Sequence, residues 1–234
     1  KLKFLIKKYK GRIAAVKMEV QREYKPKNNF LKNVRNLTTK NKILLIFDEC
    51  TSGFRETLGG LHKKYKVNPD IVLYGKALGN GYPITAIVGK SKIMKCSNQS
   101  FISSTFWTDR LGYVAALATL KEMNRIKSWK KINIIGKKLK KGIKKVAEKN
   151  SIKIKFKGLD TLISFEIKSQ NSKLIYDFIT YKMLKYGFLA RNSIYVSISH
   201  TDKIINRYLY YLDKVFGEIN KNSLNYLKNQ IKKK

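Results

Sequence analysis

The chain has 234 residues, 43% of them hydrophobic, which is enough for one or two domains with a hydrophobic core. Its formal net charge at pH 7 is +36, and it contains two cysteines and two histidines. These counts exclude a disulfide-stapled scaffold and argue against a zinc site, and the sequence has no apolar run long enough for a membrane-spanning helix.

The start of the chain predicts a helix, a strand and a second helix in that order. Residues 1–10 predict the end of an amphipathic basic helix, and the apolar run 13–20 predicts a buried strand. The polar stretch 21–29 predicts a loop, and apolar residues at helical spacing predict a helix over 30–41. Because this helix leads into a further apolar run, we expect a β-α-β unit with a right-handed crossover.

Two short apolar runs, 43–49 and 70–76, stop at ionisable side chains, Asp48 and Lys76. Their continuous apolar character predicts strands that are buried on both faces, as in a parallel sheet. Because binding chemistry collects at the carboxyl ends of such strands, we expect Asp48 and Lys76 to point into one crevice. A pyridoxal 5'-phosphate enzyme needs such a pair, since the lysine forms a Schiff base with the aldehyde and the carboxylate pairs with the protonated ring nitrogen.

The segments around and after Lys76 predict turns and short elements. Residues 53–69 predict a loop with a short basic helix, and Gly79, Gly81 and Pro83 require a tight turn. Residues 86–89 predict another short strand. The small-residue pattern 109–123 predicts a helix, which Thr108 or Asp109 would cap.

The carboxyl-terminal part of the chain predicts a second α/β unit. We place the domain change near residues 121–130 and assign the domains as 1–122 and 123–234. The predicted elements are a helix over 129–150, strands over 152–156 and 162–167, a helix over 173–186, a strand over 194–199 and a helix over 202–219.

The charge of +36 allows two interpretations. It could indicate a polyanionic partner such as nucleic acid, or it could be a lysine bias spread over solvated faces. The lysines are scattered, only Lys232–Lys234 form a compact basic end, and residues 43–120 hold nine Lys and Arg against five Asp and Glu. This distribution favours the second interpretation.

Several segments together resemble the signature of class III aminotransferases and of the related glutamate-1-semialdehyde aminomutases. The segments are 47–55 (FDECTSGFR), 68–70 (NPD), 75–84 (GKALGNGYPI), 103–110 (SSTFWTDR) and 196–202 (VSISHTD). The resemblance implies an α/β fold of PLP-dependent transferase fold type I, like aspartate aminotransferase. Residues 1–122 would form the last part of a large domain with a mostly parallel sheet, and 123–234 the carboxyl-terminal small domain.

The resemblance implies a role for four residues. Lys76 would form the Schiff base and Asp48 would hold the ring nitrogen. Cys50, where relatives usually carry valine, would pack on the cofactor ring, although it could equally be a small buried hydrophobe. Thr105 would reach the phosphate of the neighbouring subunit's cofactor, or only bond to its own loop backbone.

Four further polar residues have weaker indications. Arg55 could bind a carboxylate or form a structural ion pair, and Glu19 could support the pocket or simply end its strand. Glu49 is expected to point away from Asp48 and to be structural, because neighbouring strand residues face opposite sides. For His200 a structural role is favoured over a catalytic one.

The implied function is PLP-dependent amino-group transfer, between molecules or within one, on small amino, keto or aldehyde compounds. The implied protein is a cytoplasmic homodimer with no metal, no specific nucleic-acid partner and no membrane association. Residues before Asp48 show no phosphate-binding loop and no stacking aromatic residue, so we expect little activity of this chain alone. The alternatives are a truncated non-catalytic homologue and, more distantly, a basic nucleic-acid-binding protein.

Overall fold

A computed structural model describes residues 1–232; Lys233 and Lys234, part of the basic end, lie outside the described residues. The chain divides into two compact units, Lys1–Lys130 and Lys131–Lys234. The division after Lys130 lies at the end of the range 121–130 in which the sequence places the domain change. In the described part of the chain, no helix is both long and apolar enough to cross a membrane.

The first unit alternates helices with strands, as the sequence predicts. Its strands are Ala15–Glu19 (β1), Leu44–Asp48 (β2), Ile71–Tyr74 (β3) and Ala86–Gly89 (β4). Its helices are Leu2–Lys8 (α1), Phe30–Lys40 (α2), His62–Tyr65 (α3), Ser91–Met94 (α4) and Arg110–Ile126 (α5), with 3-10 turns at Lys76–Leu78 and Lys95–Gln99. The Asp109 side chain caps α5 by accepting a hydrogen bond from the Leu111 N–H, as predicted.

The strands of the first unit form a mostly parallel sheet in the order β1-β2-β3-β4. Strands β1, β2 and β3 run parallel, and β4 pairs antiparallel with β3. The register places Glu19 beside Asp48 and Asp48 beside Leu73. The three parallel strands therefore end along one edge of the sheet, and the chain emerging from that edge carries the predicted chemistry.

One face of the sheet is sealed by α2. Leu45 and Phe47 of β2 are fully buried, and Leu31 and Val34 of α2 are buried against this strand. Asp70, which directly precedes β3, links α2, β2 and Lys90 by hydrogen bonds. Its carboxylate accepts hydrogen bonds from Arg35 Nη1 at 2.7 Å, Lys90 Nζ at 2.7 Å and the Leu45 N–H at 2.8 Å.

The second unit is a helix-covered antiparallel sheet. Its elements are Ser128–Lys149 (α6), which starts before the division, Ile154–Gly158 (β5), Leu162–Ile167 (β6), Ser172–Lys185 (α7), Ser193–Tyr195 (β7), Asp202–Lys221 (α8) and Leu224–Lys232 (α9). The strand order is β5-β6-β7, with both pairings antiparallel. Its core includes Phe165 of β6, Phe178 of α7 and Phe216 of α8, all fully buried.

The structure adds two helices to the predicted elements and shortens several strands, the last of them most clearly. Helix α4 has four residues and none of them is buried, so it has no apolar face to recognise in the sequence. Helix α9 buries only Leu227 and lies in a lysine-rich stretch. Strand β7 ends at Tyr195, although the apolar pattern continues to residue 199, because the chain turns before His200 to enter α8.

Candidate active site

Three of the predicted site residues, Asp48, Cys50 and Lys76, lie where β2 and β3 end. Asp48 is the last residue of β2, and Cys50 follows it by two positions. Strand β3 ends at Tyr74, so Lys76 lies two residues beyond the strand rather than at its last position. Cys50 lies between the two sides of this edge, because its N–H donates a hydrogen bond of 3.2 Å to Asp48 Oδ1 and its thiol lies beside Gly75, the residue before Lys76.

Asp48 is held by contacts to both carboxylate oxygens. Its Oδ2 lies 3.0 Å from Lys17 Nζ, and its Oδ1 accepts a hydrogen bond of 3.2 Å from the Cys50 N–H. Partial burial by itself would raise the pKa of Asp48, but the hydrogen bonds from Lys17 and Cys50 outweigh it and lower the pKa. The carboxylate is therefore anionic over a wide pH range, as a partner of a protonated ring nitrogen must be.

Cys50 is a neutral thiol in this setting. Burial raises its pKa most, and the neighbouring Asp48 carboxylate raises it further, while Lys76 and Lys17 partly oppose both effects. The thiol is therefore protonated at neutral pH and acts as a small, weakly polar packing group. Both cysteines, Cys50 and Cys96, are unbridged.

Lys76 is exposed and starts the 3-10 turn Lys76–Leu78. Its backbone φ is +46°, in the left-handed region that a residue with a Cβ rarely adopts. Its Nζ donates a hydrogen bond of 3.1 Å to Thr51 Oγ1. This hydrogen bond directs the Lys76 side chain toward the segment that carries Asp48 and Cys50.

The glycines around Lys76 permit a backbone path that larger residues would block. A Cβ at Gly75 would lie 3.3 Å from Thr85 Cγ2 and 3.5 Å from Cys50 Sγ. A Cβ at Gly79 would collide with the carbonyl oxygen of Tyr82. The tight turn expected from the glycines is therefore present, and it brings the chain back beside the lysine.

The residues present fit the ring end of pyridoxal 5'-phosphate. A lysine amine and an anionic carboxylate emerge from one edge of a parallel sheet, and the space beside Gly75 lies next to Cys50. The phosphate end is different. Thr105 lies in an exposed segment, and the described residues show no hydrogen bond from it to Asp48, Cys50 or Lys76. The structure thus places Asp48, Cys50 and Lys76 at one edge, and the role of Thr105 at the phosphate of a neighbouring subunit's cofactor stays a prediction.

Two of the weaker candidates in the first unit lie near this edge, and Glu49 is structural. Arg55 Nε donates a hydrogen bond of 2.9 Å to the Thr51 carbonyl, and Glu19 lies 3.7 Å from Arg22. Glu49 is fully buried and accepts hydrogen bonds from Ser52 and from the backbone and ring of His62. Its carboxylate organises the loop after β2, in agreement with the structural role that the sequence predicts.

His200 lies in the second unit, and its interactions are structural. Its Nδ1 accepts a hydrogen bond of 3.3 Å from the Ser197 N–H, and burial lowers its pKa. It borders a cavity of about 220 Å³ whose walls include Leu139, Ile205 and Tyr208. Within residues 1–232, no group of three or more His, Cys, Asp or Glu side chains is arranged to hold a metal ion.

Sequence reasoning did not identify Lys17 or Thr51 as part of this site. Thr51 lies within the segment 47–55, and its position next to Cys50 could have indicated it. Lys17 is a single lysine in the otherwise apolar stretch 13–18, which forms the edge strand β1 of the described sheet. Its pairing with Asp48 depends on the register of β1 against β2, which the sequence does not reveal.

Three comparisons place the chain among known proteins. A family model described as aminotransferase class-III matches residues 1–201. The chain is 34% identical over 187 residues to 3-aminobutyryl-CoA aminotransferase of Cloacimonas acidaminovorans, covering 78% of the chain and 44% of that protein. It is 32% identical over 231 residues to glutamate-1-semialdehyde 2,1-aminomutase of Acetivibrio thermocellus, covering 89% of the chain and 53% of that protein.

The fold is similar to that of solved transaminases. The FumI protein of Sphingopyxis sp. MTA144, in its PLP internal aldimine form, superposes with a TM-score of 0.84 at 21% identity, over 93% of the chain and 55% of that protein. The chain spans about half the length of the curated relatives it matches. The predicted fold type I is thereby confirmed.

Proposed function

The chain belongs to the class III aminotransferases, and we propose on that premise that it supplies Lys76 and Asp48 to a PLP-dependent amino-group transfer. The family implies pyridoxal 5'-phosphate as the cofactor. The observation that carries the proposal is the position of Asp48, Cys50 and Lys76 at one sheet edge, where the Cys50 N–H bonds to Asp48 Oδ1 and the Lys76 amine bonds to Thr51, the residue after Cys50. This arrangement matches the ring nitrogen and the aldehyde of the cofactor.

When bound, the cofactor supplies an aldehyde that accepts amino groups and a ring that accepts electrons. Asp48 would hold the proton on the ring nitrogen, because its carboxylate is anionic at neutral pH. The Lys76 amine would bind the aldehyde carbon. The same amine, when it is not attached to the cofactor, would be the base that takes and returns the proton of the substrate carbon. Cys50, as a neutral thiol, would pack against the ring without reacting.

The substrate class follows from the chemistry and from two relatives. One relative is named as a 3-aminobutyryl-CoA aminotransferase and others as glutamate-1-semialdehyde 2,1-aminomutases. We propose that the substrate is a small amino compound with a keto or aldehyde partner, and that the amino group moves between two molecules or within one. The localisation in the cytoplasm stays a prediction.

A homodimer is part of the proposal, because the first unit exposes a large apolar surface. Large side chains of the segment before α5 and of α5 itself are more than half exposed: Phe101, Phe106, Trp107, Leu111, Val114 and Leu117. Apolar surface of this extent on a folded unit is typical of an interaction site. Thr105 lies within the same segment, so a second copy docking there would bring a Thr105 hydroxyl toward its partner's cofactor phosphate.

The proposed function is tested by turnover. The protein, expressed from its complete reading frame, is supplied with pyridoxal 5'-phosphate and with glutamate plus a keto acid, or with glutamate semialdehyde. We expect amino transfer that is abolished in Lys76→Ala and retained in Lys92→Ala, an exposed lysine of α4. Equal activity in both variants would contradict the role of Lys76, and no activity in any form would favour the non-catalytic homologue.

A further inference from the structure

Lys17 occupies the centre of β1 and reaches across to the neighbouring strand. The register pairs Lys17 with Ile46, so that Asp48 lies two positions further along β2 on the same face. The Lys17 Nζ ends 3.0 Å from Asp48 Oδ2. The stretch before Lys17 is apolar from Ile13 to Val16, so nothing else on this part of the strand provides a cation.

We propose that Lys17 competes with the ring nitrogen of the cofactor for the Asp48 carboxylate and so weakens protonation of the ring. The inference rests on the proposed function, in which Asp48 is the partner of the ring nitrogen. Lys17 is then a positioning residue that limits how strongly the ring withdraws electrons.

Asp48 needs no neighbouring cation to be ionised at neutral pH. An aspartate with an ordinary pKa of about 3.9 is ionised at neutral pH without help. A lysine beside it therefore adds little to the ionised fraction at pH 7. The larger effect of Lys17 is on the protonated ring nitrogen of the cofactor, which would be the second cation beside Asp48. One carboxylate carries one negative charge, and two cations near it repel each other.

Among the charged side chains that the structure describes around Asp48, Lys17 is the one that forms an ion pair with it. Strand β1 contributes Lys17 and Glu19, and the chain after β2 contributes the neutral thiol of Cys50. The chain after β3 contributes Lys76, whose amine is directed to Thr51. Glu19 is engaged by Arg22 at 3.7 Å. Removing the Lys17 amine would therefore leave the ring nitrogen as the principal cation on Asp48.

The size of the effect is limited by solvent. The Lys17 side chain is 57% exposed, so water screens its charge. Exposed ion pairs change equilibria by about two- to fivefold. We therefore expect Lys17→Met to raise the affinity for pyridoxal 5'-phosphate by about two- to fivefold and to raise the protonated fraction of its ring nitrogen.

The experiment compares Lys17→Met with Lys90→Met, in the protein expressed from its complete reading frame. Lys90 is a matched control because it is 58% exposed and pairs with a different aspartate of the same unit, Asp70, at 2.7 Å. Carbon-13 NMR of the Asp48 carboxyl is recorded against pH without cofactor. Nitrogen-15 NMR of labelled pyridoxal 5'-phosphate then reports the ring, and fluorescence titration reports the affinity.

Three outcomes are distinguished. A higher Asp48 pKa without cofactor, together with a more protonated ring and tighter binding in Lys17→Met alone, supports the inference. A higher Asp48 pKa with unchanged ring protonation and unchanged affinity overturns it and leaves Lys17 as a structural partner. If the cofactor binds to none of the three proteins while the Asp48 pKa still responds to Lys17, the proposed function is wrong and the competition falls with it.

Discussion

The Nζ of Lys76 donates a hydrogen bond of 3.1 Å to the hydroxyl of Thr51, which joins the chain leaving β3 to the chain leaving β2. The same threonine is tied to Arg55, whose Nε bonds to its carbonyl oxygen. The amine of Lys76 is therefore directed by a hydroxyl on the segment that carries Asp48 and Cys50. This contact gives the lysine a defined position before any ligand binds.

Thr51→Val should slow the attachment of pyridoxal 5'-phosphate to Lys76 without preventing it. The substitution keeps the shape and removes the hydroxyl, and a single hydrogen bond of this kind changes rates by about two- to tenfold. The rate is measured by borohydride quenching at set times followed by mass spectrometry. Thr57→Val is the control, because Thr57 bonds to the Gly60 carbonyl in the same loop. An equal slowing in both variants would show that the loop, and not the hydroxyl, is responsible.

Glu49→Gln should lower the free energy of unfolding by about 3 kcal/mol. Both carboxylate oxygens of this buried residue accept hydrogen bonds, including those from the Leu61 and His62 backbone N–H groups. The NH2 group of a glutamine side chain would face one of these N–H groups, and two donors cannot form a hydrogen bond with each other. Urea unfolding measures the loss. Glu122→Gln, at an exposed helix pair with Arg125, should change stability by less than about 0.5 kcal/mol.

The ionised Asp70 carboxylate should contribute to the free energy of unfolding at neutral pH, and this contribution should be lost in acid. Burial alone would raise its pKa, but hydrogen bonds from Leu45, Lys90 and Arg35 lower it below the unfolded value. A carboxylate with a lowered folded pKa stabilises the protein above its unfolded pKa of about 3.9, and the benefit is lost as pH falls through the folded value.

Asp70→Asn removes that contribution. We expect it to be less stable than the wild type at pH 7 by about 3 kcal/mol, because the half-buried Arg35 loses its partner. The difference should shrink as the pH falls below about 4. Urea unfolding between pH 3 and pH 7 tests this, with Glu122→Gln following the wild type. If the difference in the free energy of unfolding between the wild type and Asp70→Asn stays constant down to pH 3, the lowered pKa of Asp70 is contradicted.

Gly79→Ala should impair the reactivity of Lys76 through the backbone. The added methyl group would meet the Tyr82 carbonyl oxygen and lie 2.8 Å from Ile84 Cγ2, so the turn after Lys76 must shift. Borohydride trapping at Lys76 should fall at least tenfold, by our estimate of the positional tolerance of such sites. Gly11→Ala should trap normally, because its φ of +73° strains the alanine but no atom lies within 4 Å of the new methyl group, and so it controls for backbone strain away from the site. Normal trapping in Gly79→Ala would show that the turn tolerates the change.

The sequence predicts the parallel sheet because its strands are short, continuous apolar runs. The run before Asp48 and the run before Lys76 correspond to β2 and β3, and burial on both faces is what makes such runs recognisable. The antiparallel direction of β4 was not predicted, because a four-residue strand carries no signal of its direction.

Of the residues at the candidate site, the sequence identifies Asp48 and Lys76, because each follows a short apolar run. Lys17 pairs with Asp48 through strand register, and the contact of Lys76 with Thr51 depends on how two loops leave the sheet. Neither is a local property of the sequence. Helix α9 was missed for a similar reason, since its one fully buried residue, Leu227, meets a core formed by distant segments.

The identity of the lysine that binds pyridoxal 5'-phosphate tests the central claim most directly. The protein is incubated with a low concentration of the cofactor, reduced with borohydride, digested and mapped by mass spectrometry, with Lys76→Ala in parallel. Because other lysines form loose adducts, occupancy at low concentration is the deciding quantity. We predict that Lys76 carries most of the label and that Lys76→Ala loses it. Preferential labelling of another lysine, unchanged in Lys76→Ala, would contradict the account.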